Sequence, residues 1–502
     1  MIADELKYRI RTAFGYEPTQ EQQAAIDVFA TFMADSRMMP VMVMRGSAGT
    51  GKTTLAAAIV RALQSLEQQL VLMAPTGRAA KVFSLYAGSA AYTIHRRIYR
   101  QKSLEGGFDL GYNNAKDTLF IVDEASMISL NGDGRSLLDD LISFVYNGSN
   151  CRLMLIGDQA QLPPVGEEES PALMAPVLRS FGLHVYECTL NEVLRQSQES
   201  GILWNATEIR SLSPDPSPSR EGSFNLPVTL PKILLDGFTD IHVVPGDELI
   251  EALVSSYSKV GLDETMVVTR SNKRANIFNQ GIRNQILGRE EELTTGDQLM
   301  VVKNNYSLTG LTGLTPGPSP KGEGSFRGEG NSKGEGSDVR AMEFIANGDM
   351  CVVRRVRNVH EQYGFRLAEV TMTFPDYDDY ELTATVLLDT LTSEAPALTR
   401  DQQEELYNKV MEDYADIQRK ADRMKALKED RYYNALQVKY AYAATCHKAQ
   451  GGQWAHIYVD QGYMTDDMLT VDYLHWLYTA FTRATEKLYL INWPKTQLKV
   501  ES

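Results

Sequence analysis

The sequence predicts an α/β protein with two parallel sheets covered by helices, the second of which is interrupted by a small antiparallel β-barrel. Apolar runs alternate with helical patterns over residues 1 to about 200, and a second set of such runs lies between residues 241 and 491. Alternation of this kind indicates parallel strands joined by helices. Between residues 343 and 390 the pattern changes to short β segments separated by turn-forming residues, which is typical of a small barrel.

The apolar runs give the expected strands of both sheets. In the first set they cover residues 41–44, 70–74, 119–122, 153–156 and 183–186. In the second set they cover residues 241–244, 266–269, 440–444, 456–459 and 488–491, and the barrel segments are 350–356, 365–374 and 380–388. After the barrel, apolar residues recur every three or four positions, which predicts one amphipathic helix packed on its own domain or, alternatively, an arm that binds a partner. The recurring residues are Leu406, Val410, Tyr414, Ile417, Ala421 and Met424.

Two segments fit neither sheet. Residues 212–224 (LSPDPSPSREGSF) and 314–326 (LTPGPSPKGEGSF) are near copies of each other and are rich in proline, serine and glycine. Such a composition cannot bury a core, so we expect disordered surface linkers, with a proline-motif docking site as the alternative. The predicted organisation is a first domain at 1–200 with a hairpin insertion at about 97–117, a linker at 211–232, the first part of a second domain at 233–306, a linker at 307–340, a barrel and helix insertion at 341–435, and the rest of the second domain at 436–502.

Composition narrows the class of protein. Of the 502 residues, 43% are hydrophobic and 23% are charged, as in an ordinary soluble enzyme. Four scattered cysteines without a C-x-x-C pair favour a reducing compartment and no structural zinc. We expect a cytoplasmic protein without a membrane partner, because no apolar run reaches the roughly 18 residues of a span and the N-terminus lacks a signal pattern. The net charge of -15 argues against coating nucleic acid by bulk attraction, so such contacts must use local groups in a groove.

Residues 46–53 fit the G-x-x-x-x-G-K-[ST] pattern of a phosphate loop. Backbone N–H groups would converge on the phosphates of ATP, Lys52 would add a positive charge, and the Thr53 hydroxyl would bind Mg²⁺. An apolar strand precedes the loop, and a helix predicted over 54–66 follows it with its N-terminus toward the anion. The predicted nucleotide-binding residues of this region are Gly46, Ser47, Ala48, Gly49, Thr50, Gly51, Lys52, Thr53 and Thr54.

Two further strand ends carry polar groups. Asp123 and Glu124 follow the apolar run at 119–122. Asp123 would hold Mg²⁺, and Glu124 would orient and deprotonate the attacking water. Gln159 follows the run at 153–156, and its neutral amide could sense the terminal phosphate. Taken alone, Asp123 and Glu124 are also typical of a solvated acidic turn at a strand end, and the segment with Gln159 of a turn that ends at two prolines.

The order of these motifs resembles that of superfamily 1 helicases over most of the chain. Residues 18–25 resemble the upstream glutamine motif, residues 74–81 and 93–96 the single-strand-binding motifs, residues 190–196 a motif with a phosphate-contacting arginine, and residues 444–451 and 478–484 the fifth and sixth motifs. The resemblance implies two RecA-like P-loop domains and an SH3-like barrel. It also implies that Gln20 reads adenine, that Arg195 reaches the γ-phosphate and that Arg483 is the arginine finger. The implied catalytic residues are Lys52, Glu124, Gln159, Arg195 and Arg483, and Gln450 and Gly451 join the nucleotide-binding residues.

Short polar or basic groups at the ends of predicted strands could hold a nucleic-acid backbone without reading bases. A basic hairpin over residues 96–108 could stack on bases or open a fork, with a plain surface hairpin as the alternative. The predicted single-strand contacts are Pro75, Thr76, Thr93, His95, Phe108, Thr445, His447 and Lys448.

The short hairpin insertion and the small barrel resemble the 5'-to-3' branch of the superfamily, which includes RecD and the phage helicase Dda. The signature of the Pif branch is missing from residues 126–155, which favours the RecD and Dda likeness. The resemblance implies a monomeric, ATP- and Mg²⁺-dependent DNA helicase that moves 5' to 3' on single strands and opens forked or tailed duplex. An RNA or RNA/DNA helicase and a non-unwinding ATP-dependent scaffold are the alternatives.

Overall fold

A computed structural model describes residues 2–101, 108–131, 136–193, 199–212, 229–305, 345–465 and 468–499. The helices are α1 (Ile2–Phe14), α2 (Gln20–Ala34), α3 (Lys52–Gln64), α4 (Gly77–Ala87), α5 (Ile94–Ile98), α6 (Leu137–Tyr146), α7 (Ala175–Ser180), α8 (Gly201–Ser211), α9 (Leu249–Val260), α10 (Asn272–Gly281), α11 (Arg400–Asp413), α12 (Lys420–Glu429), α13 (Cys446–Ala449) and α14 (Val471–Phe481). The strands are β1 (Pro40–Gly46), β2 (Gln69–Ala74), β3 (Ala91–Thr93), β4 (Tyr99–Gln101), β5 (Phe108–Leu110), β6 (Thr118–Val122), β7 (Arg152–Gly157), β8 (His184–Leu190), β9 (Ile233–Leu234), β10 (Ile241–Val244), β11 (Thr265–Thr269), β12 (Gln298–Val301), β13 (Met350–Gln362), β14 (Phe365–Phe374), β15 (Tyr380–Leu387), β16 (Leu436–Tyr440), β17 (Ala443–Thr445), β18 (Trp454–Asp460), β19 (Ala484–Ile491) and β20 (Leu498–Lys499).

The first body is a parallel sheet with the strand order β3-β2-β6-β7-β1-β8. Its central strands are buried on both faces, which explains why they are continuous apolar runs rather than alternating ones. On β1, Met42 and Met44 pack with α1, α2 and α3, whereas Val41 and Val43 pack with α6 on the opposite face. Two helical layers therefore cover the sheet.

The second body is a parallel sheet with the order β10-β19-β18-β11-β17. Helix α8 follows the first body in sequence but packs in the core of the second. Ile202, Ala206 and Ile209 of α8 share a hydrophobic cluster with Tyr473 and Leu477 of α14. A residue on α8 therefore moves with the second body.

The strands β12-β13-β14-β15-β16 form a closed barrel inserted in the second body. Neighbouring strands are antiparallel except for β15 and β16, which run parallel. Val353, Val370 and Met372 are fully buried in its interior. With the two parallel sheets, this barrel confirms the predicted fold class. The closing strands β12 and β16 lie outside residues 341–435, so the bounds predicted for the insertion omit them.

Two sequence-based expectations need correction. The run at 440–444, expected to be one strand, is divided between β16 in the barrel and β17 in the second sheet. The single amphipathic helix expected after the barrel is two helices, α11 and α12, separated by a turn. Leu406, Val410 and Leu427 pack with the barrel residue Phe365 in one cluster, so both helices present apolar residues to the same core. Because both helices pack on the same core, apolar residues recur at a similar spacing on both sides of the turn.

The predicted hairpin insertion is present as β4 and β5, which pair antiparallel with Tyr99 opposite Leu110. Residues 102–107, between β4 and β5, lie outside the described residues, and so do both Pro/Ser/Gly-rich repeats, beyond residue 212 and within 306–344. Among the residues that the structure describes, no helix combines the length and the apolar character that a membrane crossing requires.

Candidate functional site

The candidate site lies along the carboxyl edge of the first sheet. The phosphate loop follows β1, Asp123 and Glu124 follow β6, and Asp158 follows β7. Because β7 lies between β6 and β1, these three loops are neighbours. Thr76 lies just beyond the end of β2, and Thr93 is the last residue of β3, so both are farther along the same edge. The strand order therefore places the predicted nucleotide-binding and single-strand-binding residues side by side.

The phosphate loop has the backbone that its glycines require. Gly49 and Gly51 have φ angles of 77° and 78°, a region that side chains disfavour. A Cβ atom on Gly46 would lie 2.8 Å from Lys52 Cγ, so only glycine fits there. Lys52 Nζ donates to the Ser47 carbonyl oxygen at 2.9 Å. The loop is thus curled around the lysine ammonium, with Thr53 and Thr54 in the first turn of α3.

A glutamine that the sequence reasoning missed ties α2 to this loop. Thr19 caps α2, and Gln22 Oε1 accepts a hydrogen bond from the Thr19 N–H, which completes a capping box. Gln22 Nε2 also donates to the Thr50 carbonyl oxygen at 3.0 Å, and its side chain is buried. The Thr-x-x-Gln spacing was the available signal. Gln20, predicted to read adenine, is exposed at the first position of α2, and its role stays a prediction.

Asp123 and Glu124 form an acidic turn with a strained backbone. Glu124 has a φ of 53°, which is unusual for a residue with a side chain, and its N–H donates to Asp123 Oδ1 at 2.9 Å. Burial, together with the nearby Glu124 charge, raises the pKa of Asp123 to about 7, although the hydrogen bond from the Glu124 N–H and the Lys52 ammonium oppose the rise. A cation bound beside Asp123 would favour the carboxylate form.

The predicted arginine finger reaches this turn from the second body. Arg483 Nη1 lies 3.9 Å from Glu124 Oε1. The guanidinium is almost fully buried, and it donates to the carbonyl oxygens of Thr479 and Gly452, each at 3.1 Å. The structure therefore brings Glu124 and Arg483 together from opposite sides of one cleft.

The loop after β7 joins the two bodies through Leu162. The Leu162 N–H donates to Thr479 Oγ1 at 2.8 Å, and its carbonyl oxygen accepts from Gln450 Nε2 at 2.6 Å. The Leu162 side chain is buried in the hydrophobic cluster of the second body. Gln159 is half-buried in the same loop. Gln450, predicted to contact nucleotide, thus contacts the loop that carries Gln159.

Tyr478 and Asp158 were not among the predicted site residues. The Tyr478 hydroxyl accepts from the Ala48 N–H at 2.8 Å and donates to Asp158 Oδ2 at 2.6 Å. Asp158 Oδ2 lies 3.8 Å from Lys52 Nζ. Burial holds the pKa of Tyr478 well above its usual value, so the hydroxyl keeps its proton. A side chain of the second body therefore contacts the phosphate loop directly.

The single-strand candidates of the first body cap short helices. Thr76 Oγ1 accepts from the N–H of Ala79, and Thr93 Oγ1 accepts from that of Arg96, each at 3.2 Å. Thr93 is buried, and Pro75 is half-buried. Burial lowers the pKa of His95 to about 4, so its imidazole is neutral near pH 7.

The single-strand candidates of the second body lie at the end of β17, the edge strand of its sheet, and just after it. Thr445 precedes α13, His447 is exposed and Lys448 is half-buried. Burial, together with the positive charge of Lys439, lowers the pKa of Lys448 to about 8. The roles of these residues in binding nucleic acid stay predictions.

The two bodies also meet beside Thr76. A Cβ atom on Gly451 would lie 3.1 Å from Thr76 Oγ1, so the segments around these two residues approach each other closely. Arg78 Nε donates to the Gln453 carbonyl oxygen at 3.1 Å, and its guanidinium lies over the Trp454 ring at 4.6 Å. The predicted single-strand motif of the first body is therefore in contact with the fifth motif of the second.

For two predicted site residues, Arg195 and Phe108, the side chain lies outside the part of the chain that the structure describes. Arg195 lies outside the described residues. The backbone of Phe108 belongs to β5, but its side chain is outside the described part.

The residues present fit ATP with Mg²⁺. The glycines keep Cβ atoms out of the loop, so phosphate oxygens could approach its backbone and Lys52 closely. Thr53 and Asp123 would hold Mg²⁺ through a hydroxyl and a carboxylate oxygen, the kind of ligand atom that this ion prefers.

Comparison with known proteins gives relatives for both bodies. Residues 17–213 match the family model described as AAA domain, and residues 440–491 match the model described as UvrD-like helicase C-terminal domain. The chain is similar to the ATP-dependent DNA helicase dda of Enterobacteria phage T4, with 29% identity over 280 residues that cover 52% of this chain and 56% of the relative. It is also similar to the ATP-dependent RecD2 DNA helicase of Deinococcus radiodurans, with 33% identity over 153 residues, 29% of this chain and 18% of the relative.

The chain therefore spans about half of the phage relative and a smaller share of the bacterial one. Among solved structures, the Pif1 helicase from Bacteroides in complex with ADP-AlF3 and single-stranded DNA has 15% identity and a TM-score of 0.43, and the match covers 97% of this chain and 95% of that one. The sequence matches confirm the resemblance to superfamily 1 helicases of the RecD and Dda type.

Proposed function

We propose that this relative of superfamily 1 helicases is an ATP-dependent motor that translocates 5' to 3' on single-stranded DNA and unwinds duplex. The relatives named above are DNA helicases, which supports DNA as the substrate. One chain supplies both sides of the cleft, so a monomer is sufficient for the reaction.

The observation that carries the proposal is the approach of Arg483 to Glu124 across the cleft, at 3.9 Å. The carboxylate belongs to the first body and the guanidinium to the second. Hydrolysis would then depend on how the two bodies sit against each other. A site of this kind converts the chemical state of a nucleotide into relative motion of two domains.

The residues have separate roles in hydrolysis. Water attacks the terminal phosphorus while the bond to the ADP oxygen breaks, and Glu124 orients the water and takes its proton. Lys52 and Arg483 stabilise the charge that develops on the transferred group. An arginine in this position contributes roughly 10³- to 10⁵-fold in related phosphoryl-transfer enzymes. Mg²⁺, held by Thr53 and Asp123, would neutralise charge on the phosphates.

Movement along DNA would follow from the position of the two single-strand motifs. One is carried by the first body near Thr76 and the other by the second body near Lys448. Opening and closing of the cleft would change the distance between them, so one grip would advance along the strand while the other holds. The hairpin β4–β5 would act as a wedge at the fork.

Two other functions share part of this architecture. An RNA or RNA/DNA helicase would use the same cleft, but the names of the relatives favour DNA. A scaffold that binds ATP without unwinding would not require Arg483 opposite Glu124, because those groups serve hydrolysis rather than binding.

Hydrolysis of ATP should be measured with and without poly-dT and poly-U. We expect stimulation by poly-dT, and we expect the Lys52→Ala and Glu124→Gln variants to lose it. The Glu124→Gln variant should still bind ATP, because its amide keeps the size of the side chain and removes only the base. The absence of stimulation by any single strand in the unaltered protein would refute the motor.

Polarity needs duplexes with a tail on one side only. We expect unwinding of the substrate with a 5' tail, under single-turnover conditions with excess protein. Unwinding from a 3' tail alone would refute the proposed direction while leaving the motor intact.

A further inference from the structure

Arg210 is an arginine at the phosphate loop that none of the helicase motifs contains. It lies in the last turn of α8 and is half-buried. Its Nη1 atom donates to the Ser47 hydroxyl at 2.6 Å, and its Nη2 atom donates to Asn191 Oδ1. The guanidinium is therefore held against the same loop that surrounds Lys52.

The helix that carries Arg210 belongs to the second body. Ile202, Ala206 and Ile209 anchor α8 in the hydrophobic core around α14. Ser47, in contrast, follows β1 of the first body. The contact between Arg210 and Ser47 thus crosses the cleft, as the contact between Arg483 and Glu124 does. Any change in the angle between the bodies alters the position of this guanidinium relative to the loop.

Among the described residues, Arg210 forms no ion pair with a carboxylate. Its two acceptors are a hydroxyl and an amide oxygen, which are neutral. Some buried arginines of the chain do have a carboxylate partner, such as Arg283 with Asp297 at 3.0 Å. Removing a cation from water without an anion is unfavourable, and guanidinium groups bind phosphate oxygens in a favourable forked geometry. Within the described part of the chain, no carboxylate therefore balances the charge of this guanidinium.

We propose that Arg210 binds the terminal phosphate of ATP and thereby links the second body to the nucleotide. This inference rests on the proposed ATP-dependent function. When ATP binds, Nη1 exchanges the Ser47 hydroxyl for a γ-phosphate oxygen. ADP has no γ-phosphate, so the guanidinium keeps its neutral partners. Arg210 would then be a specificity determinant for ATP over ADP, in addition to the arginines of the helicase motifs.

The test compares two nucleotides on the full-length chain. Dissociation constants for fluorescent AMP-PNP and fluorescent ADP are measured with Mg²⁺ for the unaltered protein, Arg210→Gln, Arg210→Lys and the control Glu208→Gln. Glu208 is an exposed residue of the same helix. We expect Arg210→Gln to raise the dissociation constant of AMP-PNP by about 10- to 100-fold, the scale of a charge-assisted hydrogen bond. The dissociation constant of ADP should change by less than about twofold. Arg210→Lys should lose less affinity for AMP-PNP than Arg210→Gln does, and Glu208→Gln should leave the affinity for both nucleotides unchanged.

Equal weakening of both nucleotides would overturn the inference, because a role in shaping the loop affects the β-phosphate as well. Unchanged affinity for both would also overturn it. Thermal unfolding of each variant shows that the fold is retained. Poly-dT-stimulated hydrolysis by the unaltered protein reports separately on the proposed function. If that stimulation is missing while Arg210→Gln still loses AMP-PNP selectively, the motor fails and the inference stands.

Discussion

Replacing Thr479 with valine would test whether the loop after β7 couples the two bodies. Valine keeps the size and branching of threonine and removes only the hydroxyl. The Thr479 hydroxyl accepts the Leu162 N–H at 2.8 Å, and both residues are buried, so in the variant that N–H would have no acceptor. A buried unsatisfied N–H costs about 1–3 kcal/mol.

This cost applies only while the bodies are in contact, because opening the cleft allows water to reach Leu162. The equilibrium between closed and open forms should therefore shift toward open by about 5- to 150-fold. If hydrolysis requires closure, kcat/KM for ATP in the presence of poly-dT should fall by up to the same factor. Binding of ADP should change little, since the phosphate loop itself is unaltered.

A suitable control is Thr485→Val. Thr485 Oγ1 donates to the Trp454 carbonyl oxygen at 3.2 Å within the second body, so its loss removes a hydrogen bond that does not cross the cleft. We expect that variant to keep poly-dT-stimulated hydrolysis within about twofold, since a hydrogen bond removed inside one body leaves closure unaffected. Equal effects of the two substitutions on kcat/KM would refute the reasoning, as would a normal value for Thr479→Val.

Three further outcomes are expected. Gly77→Ala would place a Cβ atom 2.7 Å from the Tyr377 hydroxyl, so scanning calorimetry should show a loss of about 1–3 kcal/mol, whereas Gly281→Ala, with open space around it, should show none. Burial lowers the pKa of His95 from 6.5 to about 4, so the unfolded chain binds a proton at a higher pH than the folded protein does. The free energy of unfolding should therefore fall by up to about 3 kcal/mol as the pH is lowered from 6.5 toward 4. Urea titrations at pH 5 and 7 should show this decrease, and the His95→Gln variant should show a smaller one. All cysteines are buried with pKa values raised mainly by burial, so a thiol reagent should react slowly with native protein and with every cysteine after denaturation; fast reaction of a native thiol would contradict this. The cysteines concerned are Cys151, Cys188, Cys351 and Cys446.

Much of the fold was predictable because its signals are local. A buried parallel strand is a continuous apolar run, and each expected strand of the first sheet is present. The run at 440–444 shows the limit of this reasoning. Its residues are apolar throughout, yet the chain leaves the barrel after Tyr440 and enters the other sheet at Ala443. An apolar run shows that residues are buried and does not show which core buries them.

The candidate site divides in the same way. The phosphate loop and the acidic turn each consist of residues that are adjacent in sequence, so local sequence is enough to predict where each one lies. Gln22 was recognisable from the capping-box spacing with Thr19, whereas the resemblance to the glutamine motif points to Gln20. Arg210 had no such signal, because nothing in its local sequence indicates a phosphate loop as the neighbour. Tyr478 begins the segment that resembles the sixth motif, but only the structure shows that its hydroxyl contacts Ala48.

By itself, the sequence determined the fold class, the phosphate loop and the order of the helicase-like motifs, since each depends on residues close together in the chain. Only the tertiary structure decided which groups face each other across the cleft. Ala48 and Tyr478 are separated by 430 positions, and Leu162 and Thr479 by 317. Their contacts depend on how α8 and α14 pack on the second sheet and how that body sits on the first. Packing of whole elements fixes such pairs, and local spacing carries no information about it.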